Sequence, residues 1–93
     1  MATSSEVVVR SKVGLHARPA ALFIKTANGF SSRISVENLT RGTQPVNAKS
    51  ILSLLSSGVR MNDRIRITVD GADEGAALAA LVELLESNFG EAE

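Results

Sequence analysis

Several residue types that commonly define the chemistry of a small protein are rare or missing in this 93-residue chain. It has no cysteine, tryptophan or tyrosine, and it has only one histidine, two prolines and three phenylalanines. The lack of cysteine excludes disulfides and thiolate metal sites, and a zinc site built on one histidine is not expected. Because hydrophobic residues still make up 44% of the chain, the core must consist mainly of aliphatic side chains. We expect neither a metal nor another cofactor.

An excess of charge of either sign is also absent, since ten Lys and Arg residues balance ten Asp and Glu residues. A chain without a basic field is not expected to bind nucleic acid or a membrane surface, which leaves proteins and small anions as partners. No stretch approaches the roughly 18 apolar residues of a membrane span, and residues 1–5 carry no positive charge of the kind that begins a signal peptide. We expect residues 1–93 to form a single cytoplasmic domain that is monomeric.

Hydrophobic periodicity predicts four strands and three helices. In chain order the predicted elements are a strand over 6–10, a helix over 17–28, a strand over 33–39, a short strand over 46–48, a helix over 51–57, a strand over 64–69 and a helix that begins at 74. The strands alternate polar and apolar residues, which indicates a sheet with one face in water and the helices on the other. The predicted fold class is therefore α+β, an open-faced β-sandwich with a four-stranded, mainly antiparallel sheet and three helices packed on one face.

Short polar residues and glycines mark the expected helix ends. Ser50 and Asp73 precede the second and third helices as N-caps, and Gly29 is predicted to close the first helix in the left-handed conformation. Apolar residues keep helical spacing along the third helix as far as Phe89, and residues 91–93 are expected to fray. The second helix is apolar around most of its circumference, so part of its surface should be exposed.

The only histidine lies in segment 14–20, which reads Gly-Leu-His-Ala-Arg-Pro-Ala. Gly14 permits a tight bend, His16 takes the N-cap position, and Pro19 fits only the first turn of a helix. A helix N-terminus attracts anions through its unpaired N–H groups and its dipole, and Arg18 adds a planar cation suited to phosphate. The segment therefore predicts a nucleophilic imidazole beside an anion site. A plain helix cap, an ordinary surface histidine and a sulfate-like ligand are the alternative interpretations.

Two motifs in this chain resemble those of HPr, the histidine-containing phosphocarrier family of the bacterial sugar phosphotransferase system. The first motif is segment 14–20. The second is segment 46–52, Val-Asn-Ala-Lys-Ser-Ile-Leu, which is followed by Ser-Ser-Gly-Val at 56–59. The resemblance covers nearly the whole chain, and the fold that it implies is the open-faced sandwich expected from the periodicity.

The resemblance also implies a function and a role for each part of the site. His16 would be phosphorylated on a ring nitrogen (tele or pros), Arg18 would stabilise the phosphate, and Ser50 would be the serine that an HPr serine kinase/phosphorylase modifies in some bacteria. The protein would accept a phosphoryl group from Enzyme I, which takes it from phosphoenolpyruvate, and pass it to the A domain of a sugar-specific permease. It would be a stoichiometric carrier and not an enzyme. The implied partner-binding side chains are those of Ala17, Ala21, Ile51, Leu52 and Leu55.

Two features depart from familiar HPr sequences. Val13 occupies a position that is usually Ser or Asn, so a polar contact near the histidine is expected to be missing. The connection over 40–45 is a few residues longer, which favours a tolerated surface loop.

Two other functions fit the sequence less well. A small metal-free phosphatase of the acylphosphatase kind would need a positioned attacking water, and no loop beside His16 is built to hold one. An HPr-like regulatory protein that acts mainly through Ser50 would have no need of the intact His16. A second form of this regulatory alternative, a protein of a nitrogen-related branch of the same system, is not excluded by the sequence.

Overall fold

A computed structural model describes residues 2–90 of the chain. Within that range it contains four strands, three α-helices and a short 3₁₀ helix. In chain order these are β1 (Ala2–Val8), α1 (Ala17–Asn28), β2 (Arg33–Asn38), β3 (Val46–Asn47), α2 (Ile51–Ser56), β4 (Arg64–Asp70), α3 (Glu74–Glu86) and the 3₁₀ helix Asn88–Gly90. The fraying predicted for residues 91–93 lies outside the described residues.

The four strands form one antiparallel sheet in the order β1-β4-β2-β3. The central strand β4 pairs with β1 along its whole length, from Ala2 opposite Asp70 to Val8 opposite Arg64. Strand β3 pairs with β2 at the edge over only two residues. This shortness was expected, because Pro45 immediately before β3 cannot donate a backbone hydrogen bond.

Alternation along the strands separates a buried face from an open one. On β4, Ile65, Ile67 and Val69 are buried, whereas the residues between them are half-buried and those at the two ends of the strand are exposed. The helices cover the buried face with their own apolar residues: Ala20, Phe23 and Ala27 of α1, Leu54 of α2, and Ala77, Leu81 and Leu85 of α3. The predicted sheet with helices on one face is confirmed.

The first strand lies earlier in the chain than the periodicity indicated. The prediction placed it over 6–10, but β1 begins at Ala2 and ends at Val8. Residues 2–5 are mostly small and polar, and they join the sheet because each has a backbone partner on the long strand β4. Backbone pairing with a neighbouring strand outweighed the low β-propensity of these residues.

Two helix ends also differ from the prediction. Gly29 follows α1 with φ −75° and ψ −6°, so the predicted left-handed cap is wrong. Its N–H donates to the Thr26 carbonyl oxygen at 3.1 Å, and the helix closes through a tighter right-handed turn. At the other end of the chain, α3 stops at Glu86, and Asn88 and Phe89 both have positive φ angles. Phe89 is buried as expected, but in the 3₁₀ helix beyond α3.

Asp73 precedes α3 as predicted, but its carboxylate does not cap that helix. It accepts hydrogen bonds from the Ser31 N–H at 2.8 Å, from the Ser32 N–H at 3.0 Å and from the Ser32 hydroxyl. These bonds, that of the Ser32 hydroxyl above all, lower the pKa of Asp73 to about 2. Asp73 therefore ties the start of α3 to the loop that follows α1.

Candidate functional site

The loop before α1 is held against residues 58–63. Gly14 has φ +63°, and a Cβ atom there would overlap the Val59 carbonyl oxygen and lie 2.7 Å from the Arg60 Cα atom. The next residue, Leu15, donates its N–H to that Val59 carbonyl oxygen at 3.1 Å and buries its side chain almost completely. Only glycine satisfies both the backbone conformation and the close approach at position 14. The result is a fixed platform for the residue that follows, His16.

His16 occupies the N-cap position of α1, as the sequence predicted, with an extended backbone at φ −131° and ψ 161°. Its carbonyl oxygen accepts a hydrogen bond from the Ala20 N–H at 3.4 Å, while Pro19 is buried in the first turn. The His16 residue is exposed, and within residues 2–90 its imidazole makes no capping hydrogen bond to the helix. The ring is thus available for chemistry at the positive end of a helix of 12 residues.

Arg18 lies two residues beyond His16, exposed in the first turn of α1. This turn reads Ala-Arg-Pro-Ala, so it carries a cation and no acidic residue. An anion bound at this end of α1 would meet the helix dipole and the Arg18 guanidinium without a competing carboxylate from the same turn. The structure therefore brings the two predicted phosphate-handling residues to one end of one helix.

Ser50 is the N-cap of α2, as predicted. Its Oγ accepts a hydrogen bond from the Ser53 N–H at 3.3 Å, and the residue is half-buried. The preceding Lys49 donates its Nζ to the Phe30 carbonyl oxygen at 2.6 Å, which ties the start of α2 to the chain that follows α1. The hydroxyl predicted to be phosphorylated thus already has a structural task as a helix cap.

The predicted partner-binding side chains differ in exposure. Leu52 is 78% exposed and Ile51 is 44% exposed, and Ala21 is exposed on α1. Leu55 is only half-buried and packs in part against the core, and the side chain of Ala17 lies outside the part of the structure that is described. We call Ile51 and Leu52 the α2 apolar patch. Large apolar side chains exposed to this degree favour a docking surface.

A buried polar cluster near the site was missed by sequence reasoning. Asn38 is fully buried at the end of β2, and its Nδ2 donates to the Asp63 Oδ2 at 3.0 Å and to the Ser57 carbonyl oxygen at 3.2 Å. Asp63 also accepts from the Arg60 N–H at 3.0 Å and lies 3.5 Å from the Arg41 Nε. The one available signal was Asn38 itself, a polar residue in register with the core positions of β2.

The environment of Asp63 sets its charge. Burial raises the pKa of its carboxyl group, but the hydrogen bonds from the Arg60 N–H and the Asn38 amide and the charge of Arg41 lower it more, so the net shift is downward. Asp63 is therefore an ionised, hydrogen-bonded carboxylate at neutral pH.

Other features of the described residues do not add to the site. A cavity of about 480 Å³ lies where β2, β3 and β4 meet the chain that follows α1, and it is lined by none of the predicted site residues. Residues 2–90 contain no group of three or more His, Cys, Asp or Glu side chains placed to bind a metal. Among the helices described, none is long and apolar enough to cross a membrane.

Comparison with known proteins identifies the family. Residues 3–87 match the family model PTS-HPr, which is described as the phosphorylation site of the HPr component of the phosphotransferase system. Because this match spans nearly the whole chain, the chain belongs to the PTS-HPr family. The resemblance proposed from the two sequence motifs is confirmed, and the phosphatase alternative is set aside.

Individual relatives support the same family. The chain is 42% identical over 83 residues to the phosphocarrier protein HPr of Mycoplasma genitalium, a match that covers 89% of this chain and 92% of that protein. It is 39% identical over 88 residues to the multiphosphoryl transfer protein of Escherichia coli O157:H7, covering 95% of this chain. The match covers only 23% of the length of that relative.

A solved structure supports the fold class. HPr-C-His from Thermoanaerobacter tengcongensis superimposes with a TM-score of 0.92 at 45% sequence identity, covering 98% of this chain and 99% of that chain. The predicted α+β open-faced sandwich is therefore the fold of this family.

Proposed function

We propose that this chain is a phosphoryl carrier of the phosphotransferase system, with His16 as the residue that accepts the phosphoryl group. It takes the group from phospho-Enzyme I and passes it to the A domain of a sugar-specific permease in the cytoplasm, with residues 1–93 acting as one domain. The observation that carries this proposal is the His16 imidazole, which is exposed at the N-terminus of α1 and is not used to cap the helix.

The chemistry follows from that position. An unprotonated ring nitrogen of His16 attacks the phosphorus, the bond between phosphorus and its donor breaks, and a nitrogen–phosphorus bond forms. The phosphoryl oxygens then lie over the N-terminus of α1, where the helix dipole and the Arg18 guanidinium stabilise their negative charge. In the second transfer the same nitrogen is the leaving group, and the carrier returns to its starting state.

The openness of the site fits a carrier better than an enzyme. A carrier must stabilise the phosphoryl group enough to accept it, but must also release it to the next protein. One arginine and one helix end, both exposed, can do this, whereas an enclosed pocket with many donors would hold the group too tightly. The protein therefore acts stoichiometrically and has no turnover of its own.

Partner proteins dock on the surface around this helix end. The α2 apolar patch, together with the exposed Ala21 and the half-buried Leu55, provides apolar contact area, and apolar area beside polar groups is the usual composition of a protein interface. Ala17 is included in this docking surface on the resemblance to the family alone. Phosphorylation of Ser50 at the edge of this patch by a serine kinase would regulate docking.

The decisive experiment is incubation with phosphoenolpyruvate and Enzyme I, followed by intact mass measurement before and after acid treatment. The wild type should gain one acid-labile phosphate, because phosphohistidine is hydrolysed by acid whereas phosphoserine survives. His16→Ala should gain none while it keeps the fold, since an exposed cap residue contributes about 1 kcal/mol or less.

Two outcomes would contradict this assignment. Acid-labile phosphate on His16→Ala would place the acceptor elsewhere. A wild type that gains only acid-stable phosphate, and only when a serine kinase is present, would instead favour the regulatory alternative that acts through Ser50.

A further inference from the structure

We propose that Asp63 is a positioning residue for His16, because it fixes the turn 60–63 against which the loop that presents the imidazole is packed. The proposal rests on the function proposed above for His16. It also assigns a role to the longer connection over 40–45, whose Arg41 lies 3.5 Å from the Asp63 carboxylate. The resemblance to the family does not explain this connection.

Hydrogen bonds of Asp63 close the turn 60–63. The Asp63 Oδ2 accepts the Arg60 N–H at 3.0 Å, and the Asp63 N–H donates to the Arg60 carbonyl oxygen at 3.0 Å. Between them Asn62 has φ +74°, a conformation that an L-residue rarely adopts without support. The Asp63 side chain thus closes a turn whose backbone would otherwise relax.

Two further hydrogen bonds join this turn to the loop that carries His16. Asp63 accepts the Val9 N–H on its carbonyl oxygen at 2.9 Å, and the Asn62 N–H donates to the Val9 carbonyl oxygen at 2.7 Å. These two bonds hold the beginning of the loop, residues 9–16, to the turn.

The end of the same loop is held by the residues just before Asp63. The Leu15 N–H donates to the Val59 carbonyl oxygen, and the Gly14 Cα lies so close to Val59 and Arg60 that no side chain fits there. Any shift of Val59 and Arg60 therefore moves Leu15, and His16 follows it directly in the chain.

Two residues outside the turn, Asn38 and Arg41, hold the Asp63 carboxylate in place. Asn38 is fully buried and donates to the Asp63 carboxylate, while the Arg41 guanidinium lies 3.5 Å from the same oxygen atom. The Arg41 N–H donates in turn to the Asn38 Oδ1 at 3.2 Å, which fixes this loop to β2. Arg41 belongs to the longer connection, so the additional residues supply a cation that holds the Asp63 carboxylate.

The consequence for function is geometric. Phosphoryl transfer requires the attacking nitrogen, the phosphorus and the leaving atom to be nearly in line, and misplacement of a reacting group by about 1 Å can cost a hundredfold in rate. Asp63 has this effect without contacting the phosphate. It acts through the turn and the loop that set the position of His16.

The test compares Asp63→Ala with Asp63→Asn, which keeps a side-chain oxygen for the Arg60 N–H. Each protein is used as the substrate of Enzyme I, with phosphoenolpyruvate, over a range of carrier concentrations. This gives the kcat of Enzyme I with that carrier and its KM for that carrier as separate values. Each is also phosphorylated by phosphoramidate, a small donor that needs no docking surface. All assays are run well below the melting temperature of every variant.

We expect Asp63→Ala to lower kcat roughly ten- to hundredfold with little change in KM. Labelling by phosphoramidate should slow much less, because a small donor in solution reaches the imidazole without a fixed orientation. Asp63→Asn should recover most of the loss of kcat. Arg41→Ala removes only the charged contact and should lower kcat about threefold. Because the Arg41 side chain is 40% exposed, this variant keeps the fold and serves as the test if Asp63→Ala does not fold.

Asp73→Asn is the matched control. It weakens another hydrogen-bonded carboxylate, but one that ties α3 to the loop at the far end of α1, away from His16. It should lose thermal stability and keep the kcat of the wild type. An equal loss of kcat in Asp73→Asn would show that the effect is general destabilisation and would overturn the proposal.

A wild-type kcat in folded Asp63→Ala, or in Arg41→Ala where that variant serves as the test, would overturn it as well. The proposed function fails in a different way, since the wild type itself would then gain no acid-labile phosphate. The two failures are therefore distinguishable in one set of samples.

Discussion

Three neighbouring residues at the start of α1 supply different parts of the proposed chemistry. His16 supplies the nucleophilic nitrogen, Arg18 a permanent positive charge, and Pro19 a first turn that needs no backbone N–H. Only His16 is proposed to form a bond to phosphorus. The other residues change the rate or the geometry of transfer, and their substitution should have graded effects.

Arg18→Ala is expected to slow transfer about tenfold without preventing it, because the arginine stabilises charge on the moving phosphoryl group in a solvent-exposed site. Arg18→Lys should lie between this variant and the wild type, since lysine keeps the charge but loses the planar fork. Rapid-quench kinetics with Enzyme I measure both. A wild-type rate in Arg18→Ala would mean that Arg18 is only a solvated surface charge.

Ser50→Asp is expected to keep or raise the melting temperature while it weakens transfer from Enzyme I. Asp caps a helix about as well as Ser, and its charge is favourable at the N-terminus of α2, which has no acidic residue in its first turn. The same charge beside Ile51 and Leu52 must be desolvated when a partner docks, so KM should rise.

Ser50→Asn provides the control for that charge, because it caps equally well and is neutral. It should keep the KM of the wild type. An unchanged KM in Ser50→Asp at ordinary salt would leave Ser50 as a helix cap without a regulatory role.

At the scale of elements, α1 presents the site while the two loops 9–16 and 57–63 hold it in place. The contact between these loops is made largely by backbone atoms, since Gly14 has no side chain and Leu15 binds the Val59 carbonyl oxygen. A contact of this kind tolerates little change in distance. Position 14 should therefore be more sensitive to substitution than a glycine with positive φ in open surroundings, such as Gly42.

Gly14→Ala is expected to destabilise the protein by at least about 2 kcal/mol, because strain at positive φ adds to steric overlap with Val59 and Arg60. Gly42→Ala is the matched control, since Gly42 has φ +68° but an added Cβ would meet no atom within 4 Å. It should cost only about 1–2 kcal/mol. Urea unfolding curves compare the two, and equal losses would contradict the steric argument.

At the scale of the whole molecule, side-chain hydrogen bonds join segments that are distant in the chain. Asp73 accepts hydrogen bonds from Ser31 and Ser32, which precede it in the chain by 42 and 41 positions. Asp63 accepts one from Asn38, which precedes it by 25 positions. Both carboxyl groups have pKa values below their ordinary range, because hydrogen bonds to the ionised form stabilise it in the folded state. The stability of the fold should therefore depend on pH in the acid range.

The sign of this dependence follows from Asp73, whose folded pKa of about 2 lies below the value of about 3.9 expected in the unfolded chain. Its contribution to stability is fully present above that unfolded value and is lost as the pH falls from about 4 towards 2. Asp73→Asn should thus be less stable than the wild type at pH 7, and the difference in free energy of unfolding between the two proteins should become smaller as the pH falls. Urea unfolding at several pH values checks this, and a difference in free energy of unfolding that does not depend on pH would contradict it.

The sequence alone determined those features that depend on local pattern. Alternation of polar and apolar residues predicted β4, and apolar residues at helical spacing over 17–28 predicted α1. The position of Pro19 predicted where α1 begins. Each of these predictions depends on periodicity or on the geometry of a single residue. His16 and Arg18 could be identified as candidates for the same reason, since they lie at a helix start that a local motif marks. The pattern around Ser50 predicted only a helix cap, and its regulatory role came from the resemblance to the family.

Only the tertiary structure decided which distant residues meet. Asn38 in a strand and Asp63 in a loop have no local property that pairs them. The sequence predicted that Asp73 caps its own helix, but its carboxylate accepts hydrogen bonds from Ser31 and Ser32. A carboxylate bonds to whichever donors packing brings within reach, and its own sequence neighbours are only some of these. For the same reason β1 takes its limits from its pairing with β4, and the residues that hold the His16 loop could not be found from sequence spacing.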